Sequence, residues 1–62
     1  MTVTLTHHTG HEVVQKHIVK FTQDEDYITL YFDPILHPTM RYTKMPVRAY
    51  GKPVYKISKV EA

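Results

Sequence analysis

Hydrophobic and polar residues alternate along much of this chain, which is the two-residue period of β-strands. The run Tyr27–Phe32 is the clearest, because its side chains are β-branched, aromatic or leucine and none is charged. Ile28, Leu30 and Phe32 share one face of this run, and the alternate positions are amphipathic. We therefore predict a central strand whose apolar face forms the middle of the core.

The first predicted strand covers residues 2–6, where strict alternation puts Val3 and Leu5 on one face. Gly10 follows this strand and offers the positive φ that a hairpin connection requires. A hairpin is therefore expected at the start of the chain.

The segment from residue 12 to residue 22 is extended in character, but its hydrophobic positions do not keep one parity. We expect a twist or bulge near Lys16 that changes the facing and turns Val19 and Phe21 inward. A polar loop over residues 23–26 then leads into the central strand.

A helix over residues 23–32 competes with the central strand, because Thr22 and Glu25 fit the Thr-x-x-Glu capping box. The β-branched and aromatic residues after position 26 favour the strand. We predict the strand, and a strongly helical circular dichroism spectrum would contradict it.

The central strand ends at Asp33 and Pro34, which fit the N-cap and first position of one short helical turn over residues 33–37. We expect Ile35 and Leu36 in this turn to cover one end of the core.

Two more strands are predicted, from residues 39–50 and residues 54–60. A bulge at Thr43–Lys44 would turn the apolar residues of the first segment inward. These residues are Met40, Tyr42, Met45, Val47 and Ala49. In the last strand, Tyr55 and Ile57 face one way.

These segments predict an all-β fold, with five antiparallel strands in a strongly bent sheet or a small SH3-like barrel. The whole chain, residues 1–62, is expected to form one domain. An open sheet that pairs edge to edge in a dimer is the alternative. The SH3-like description concerns architecture and implies no function.

The composition narrows the class of protein. The chain has 62 residues and no cysteine, so neither disulfides nor a cysteine-based zinc site can stabilise it. No apolar run reaches the roughly 18 residues of a membrane span, and the first residues lack the pattern of a signal peptide. We therefore expect a cytoplasmic protein that does not contact a membrane.

Charge is distributed unevenly along the chain. Residues 1–37 carry two lysines against five carboxylates, and residues 38–62 carry six lysines and arginines against one carboxylate. Such an asymmetry concerns the choice of partner and not the fold.

A basic and aromatic surface is the main candidate for binding. Cations interleaved with tyrosines suit single-stranded nucleic acid, because cations contact phosphates and rings stack on bases. They also suit a protein partner with an acidic surface, and a solvated face without a ligand is the third interpretation. The candidate residues are Arg41, Lys44, Arg48, Tyr50, Lys56, Tyr27 and Tyr31.

Histidines and carboxylates form two weaker candidates. His7, His8 and His11 lie near the first predicted turn, next to Glu12, and such side chains bind metals. Spacing alone fixes no tetrahedral site, so we expect no metal and no other cofactor. The acidic run at residues 24–26 lacks the alternation of a calcium loop and is expected to be solvated.

The sequence predicts no enzyme, because it has no cysteine nucleophile and no glycine-rich phosphate loop. A chain this short also has difficulty enclosing a pocket, so no small-molecule substrate is expected. The predicted function is a protein-interaction module or inhibitor that uses a tyrosine-rich sheet face or a strand edge. Its partner is a protein with an acidic surface or a second copy in a homodimer. Nucleic-acid binding by the basic C-terminal half is the alternative, and it requires the candidate residues to converge on one face.

Overall fold

The computed structural model describes all 62 residues, which form β-strands, turns and loops without a helix. The strands are β1 (Thr2–His7), β2 (Glu12–Gln15), β3 (Ile18–Gln23), β4 (Tyr27–Phe32), β5 (Tyr42–Pro46), β6 (Arg48–Ala49), β7 (Lys52–Pro53) and β8 (Tyr55–Glu61). The all-β prediction is therefore confirmed, and the competing helix over residues 23–32 is absent. No part of the chain forms a helix of the length and apolar character that crossing a membrane requires.

All strand pairs are antiparallel and form three hydrogen-bonded groups. The first sheet has the order β2-β1-β8, the second sheet has the order β3-β4-β5, and β6 pairs with β7 in a short arm. Two predicted segments, residues 12–22 and 39–50, are each divided into two strands, and β7 lies where a turn was expected, so eight strands are present where five were predicted. The SH3-like barrel itself stays a prediction.

The core lies between the inner faces of the two sheets. Its fully or almost fully buried residues are Val3, Leu5, Ile18, Ile28, Leu30 and Phe32. Partly buried residues pack around them, namely Phe21, Met45, Val47, Tyr55 and Ile57. The predicted inner faces of β1 and β4 are thus confirmed, and so is the common facing of Tyr55 and Ile57.

The chain changes its facing at the junction of β2 and β3, next to Lys16, as predicted. His17 has a positive φ of 63° between the two strands. In the β3–β4 ladder, Ile18 pairs with Phe32 and Lys20 with Tyr31, which leaves Val19 as the unpaired residue of a bulge. Ile18 is therefore buried and Val19 is half-exposed, so the prediction that Val19 faces inward is wrong.

The predicted bulge at Thr43–Lys44 is absent. The β4–β5 ladder runs in unbroken register from the pair Tyr27–Pro46 to the pair Tyr31–Tyr42. Continuous pairing keeps strict alternation, so Tyr42 lies on the outer face together with Lys44. Met40, Tyr42 and Ala49 are exposed, and their predicted inward facing is wrong, whereas Met45 and Val47 do pack against the core.

The connection after β4 contains one hydrogen-bonded turn. The Asp33 carboxylate accepts the Ile35 N–H at 2.9 Å, and the Asp33 carbonyl accepts the His37 N–H at 2.9 Å. Asp33 therefore caps the turn as predicted, although the turn does not extend into a helix.

The end of the core is covered by a different residue from the ones predicted. The His37 ring lies 4.8 Å from the ring of Phe32. Ile35 is 86% exposed and Leu36 is 54% exposed, so the prediction that they cover the core is wrong. The turn thus directs its third and fourth residues to solvent and places the imidazole beside Phe32.

We expect Leu30→Ala to lower the free energy of unfolding by about 2–5 kcal/mol, because it removes a buried side chain from the middle of the core. Leu36→Ala is the matched control and should change stability by less than about 0.5 kcal/mol, because its side chain is largely in solvent. Urea denaturation followed by circular dichroism measures both. Equal losses in the two variants would contradict the described core.

Candidate functional site

The outer face of the second sheet carries an ordered set of aromatic and cationic side chains. The ladders place Lys20, Tyr31 and Tyr42 in one row across the sheet. Thr22, Thr29 and Lys44 form a second row beside it. Tyr27 lies at the start of the central strand. We call this surface the tyrosine face, and its residues are Lys20, Thr22, Tyr27, Thr29, Tyr31, Tyr42 and Lys44. None of them is acidic.

Lysines contact the rings of the tyrosine face. The Lys20 ammonium lies 4.7 Å from the centroid of the Tyr31 ring, and the Lys44 ammonium lies 5.5 Å from that of Tyr27. The rings of Tyr31 and Tyr42 are 6.2 Å apart at a tilt of 48°. Cation–π attraction and ring–ring contact both favour these positions. The rings are therefore held in place on the surface before any partner binds.

Thr29 shows how densely this face is covered. It lies on the outer side of the central strand, with Thr22 and Lys44 as its cross-strand neighbours, yet it is only 8% exposed. The taller side chains around it exclude solvent, as lysine stems and tyrosine rings do on sheet surfaces. The surface offered to a partner is therefore mainly aromatic and aliphatic, with two ammonium groups.

The outer face of the first sheet has a different character. The Thr6 hydroxyl donates to the Ser58 hydroxyl at 2.9 Å, and Ser58 donates to the Thr4 carbonyl at 3.2 Å. Lys59 and Glu61 form an ion pair at 2.8 Å, which raises the pKa of Lys59 and lowers the pKa of Glu61. Both side chains are exposed, so this pair contributes little stability. Several polar groups of this face therefore already have partners.

The structure does not bring all the predicted site residues together. Tyr27, Tyr31 and Lys44 lie on the tyrosine face. The other four are in three places: Arg41 just before β5, Arg48 and Tyr50 on the arm, and Lys56 on β8 in the first sheet. The convergence that nucleic-acid binding by the whole set requires is therefore absent.

Among the aromatic and cationic residues of the tyrosine face, sequence reasoning missed two, Lys20 and Tyr42. Tyr42 was assigned to the core because of the assumed bulge, although simple alternation from Lys44 places it outside. Lys20 was not selected because it lies in the acidic half of the chain, although alternation from the inward-facing Phe21 also places it outside.

The arm ends in a strained turn. Tyr50 and Gly51 have φ values of 52° and 76°, the left-handed backbone of a two-residue hairpin connection. Tyr50 is fully exposed, so no packing offsets the cost of this conformation for a bulky residue. Arg48 pairs with Pro53, and Ala49 pairs with Lys52. The two cations therefore lie on opposite faces of the ribbon.

The acidic loop borders the tyrosine face. Asp24 accepts the backbone N–H groups of Tyr27 at 2.7 Å and of Asp26 at 2.8 Å. These hydrogen bonds stabilise the carboxylate, so they lower the pKa of Asp24 from its ordinary value of 3.8, and Lys44 adds a smaller effect in the same direction. Asp24 thereby fixes the backbone at the start of β4.

No set of three or more histidine and carboxylate side chains comes close enough to share a metal ion. His7 and His8 lie next to each other, whereas His11 is exposed in the turn between β1 and β2.

No known protein family, curated protein or solved structure matches this chain. The functional argument therefore depends on the surface itself.

We expect Asp24→Asn to remove part of the acid sensitivity of the fold. The folded-state pKa of Asp24 is lowered, so its stabilising effect is complete above about pH 4 and is lost as the pH falls through the lower folded-state pKa. The variant should thus be less stable than the parent at pH 7, and the difference should be smaller near pH 2. Denaturation at both pH values measures this, with Glu25→Gln as the control. A difference that stays constant with pH would contradict the assignment.

We expect Tyr50→Asn to raise the free energy of unfolding by about 1 kcal/mol, because asparagine tolerates the left-handed turn position better. Ala49→Asn is the control and should bring no gain, because that residue has an ordinary strand conformation. Urea denaturation of both variants measures the effect. A loss of stability in Tyr50→Asn would mean that the ring contributes packing.

Proposed function

We propose that this chain is a non-enzymatic binding module whose tyrosine face contacts a protein with an acidic surface. The observation that carries the proposal is the presence of three tyrosines and two lysines, without a carboxylate, on one face of one sheet. The outer side of the other sheet differs, because it carries hydrogen-bonded hydroxyl groups, a paired lysine and glutamate, and the carboxylate of Glu12.

Tyrosine is one of the residues that dominate the energy of protein interfaces, because its ring buries much area and loses little conformational entropy. The contacts of Lys20 with Tyr31 and of Lys44 with Tyr27 restrict the rings in the free protein. Such restriction lowers the entropic cost of association. The two ammonium groups favour carboxylates on the opposite surface.

Affinity capture with variants tests this proposal. We expect Tyr31→Ala to weaken partner binding about tenfold or more, because the ring lies at the centre of the face. Lys44→Glu should weaken it further by repelling an acidic surface. Captured proteins from an extract of the source cells are quantified with the parent chain and with each variant.

Two variants on the first sheet, Thr4→Ala and Lys59→Glu, serve as matched controls and should leave capture unchanged. Thermal unfolding confirms that all variants are folded. Equal capture by the parent and by Lys44→Glu would overturn the proposal. Sedimentation at two protein concentrations identifies a second copy as the partner if the apparent mass rises with concentration.

Nucleic-acid binding is the second candidate function, and the arm is the observation that favours it. A fully exposed Tyr50 stands at the tip, and Arg48 and Lys52 flank it on opposite faces of the ribbon. A two-stranded ribbon fits the major groove of a duplex, where cations on both faces meet phosphates on both sides.

Oligonucleotide titration at two salt concentrations tests this second candidate. It predicts binding that weakens steeply with salt and is lost in Arg48→Ala, while Tyr31→Ala has no effect. No binding at low salt would exclude nucleic-acid binding.

Neither candidate function needs a catalytic residue or a cofactor, and the cytoplasmic location stays a prediction.

A further inference from the structure

A cleft of about 360 Å³ opens at one end of the first sheet, away from the tyrosine face. The end of β1 and the turn after it form one wall, and the residues from β7 into β8 form the other. Its volume lies at the lower end of the range for small-molecule sites, which begins at roughly 300 Å³.

Backbone hydrogen bonds fix the two walls. The His8 N–H donates to the Val54 carbonyl at 2.8 Å and so joins the walls directly. Within the turn, the His7 N–H donates to the His11 carbonyl at 2.7 Å, and the Gly10 N–H donates to the His7 carbonyl at 2.8 Å. The cleft is therefore formed before a ligand binds.

The His7 ring is oriented by two contacts. Its Nδ1 atom accepts the Thr9 N–H at 3.3 Å and lies 2.8 Å from the Thr9 hydroxyl oxygen. The ring also meets the Tyr55 ring edge to face, with centroids 5.0 Å apart. Because both Thr9 groups lie at Nδ1, Nε2 is the ring nitrogen of His7 that is left for a ligand.

The lining of the cleft contains both basic and apolar residues. The rings of His7 and His8 are only 4.2 Å apart, and the ammonium-bearing Lys56 also lines the cleft. Pro53 and Tyr55 supply an apolar surface beside them. No carboxylate lines the cleft.

Two titratable groups lie near the cleft without lining it. Glu12 pairs with Thr6 across the β1–β2 ladder, and His11 belongs to the turn. A proton on each of these two neighbouring imidazoles, His7 and His8, would bring like charges together, and an anion bound beside both rings reduces that repulsion. Binding of an anion should therefore strengthen as histidines gain protons.

We propose that this cleft binds a small phosphate monoester. The phosphate oxygens accept hydrogen bonds from His7, His8 and Lys56, and the uncharged part of the ligand lies against Pro53 and Tyr55. Hydrogen bonds between charged donors and phosphate are among the strongest in proteins. The sequence predicts no small-molecule substrate, and the ligand proposed here is bound without being converted.

Titration with phenyl phosphate and with inorganic phosphate, followed by the imidazole ring signals in NMR spectra, tests the proposal at pH 6 and pH 8. We expect phenyl phosphate to shift the His7 and His8 signals selectively and to bind several-fold more tightly than inorganic phosphate, because only the ester has a ring to cover Tyr55. Binding should be tighter at pH 6. Absence of shifts at millimolar ligand, or equal shifts of the His11, His17 and His37 rings, would overturn the proposal.

A pair of lysine variants makes the test specific. Lys56→Ala should weaken phenyl phosphate binding about tenfold or more, because it removes a charged donor. Lys59 lies on the same strand but outside the cleft, so Lys59→Ala should bind phenyl phosphate like the parent. Equal weakening of phenyl phosphate binding in the two variants would mean that only the overall positive charge attracts the ligand. That result would contradict binding in the cleft. Variants of the tyrosine face leave this site intact, so either proposal can fail without the other.

Discussion

The strict alternation of β4 between its two neighbours is the constraint on which the structure depends. Ile28, Leu30 and Phe32 supply half of the buried core from the inner face of this strand. The same alternation sends Tyr27 and Tyr31 outward, where β3 and β5 add their own side chains in register. A slip of one residue in either ladder would exchange core and surface together. The core therefore determines the composition of the tyrosine face.

The strands that could be predicted from the sequence are those in which apolar and polar residues alternate without interruption. Val3 and Leu5 in β1 and the three apolar residues of β4 are buried as alternation predicts. The bulges could not be located in this way, because a bulge depends on which residue the partner strand leaves unpaired. In β3 the unpaired residue is Val19, in β8 it is Ser58, and the suspected bulge at Thr43–Lys44 does not exist.

The candidate site could likewise be predicted only in part from the sequence. The positive charge of the second half of the chain is real, but β5, the arm and β8 carry it to three separate places. Charge along a sequence becomes charge on a surface only through strand pairing, which composition does not reveal. Conversely, Lys20 from the acidic half joins the tyrosine face because its strand pairs with β4. The cleft beside His7 and His8 also arises only when the ends of β1 and β8 meet.

A nuclear Overhauser spectrum of the free protein tests the placement of the tyrosine face most directly. The account predicts cross-strand contacts between Thr29 and Lys44, and ring contacts between Tyr31 and Tyr42, whose centroids are 6.2 Å apart. It also predicts no contact of the Tyr42 ring with Leu30. A Tyr42 ring in contact with the Leu30 methyl groups would restore the bulge at Thr43–Lys44. That result would remove Tyr42 from the face and contradict the proposed binding surface.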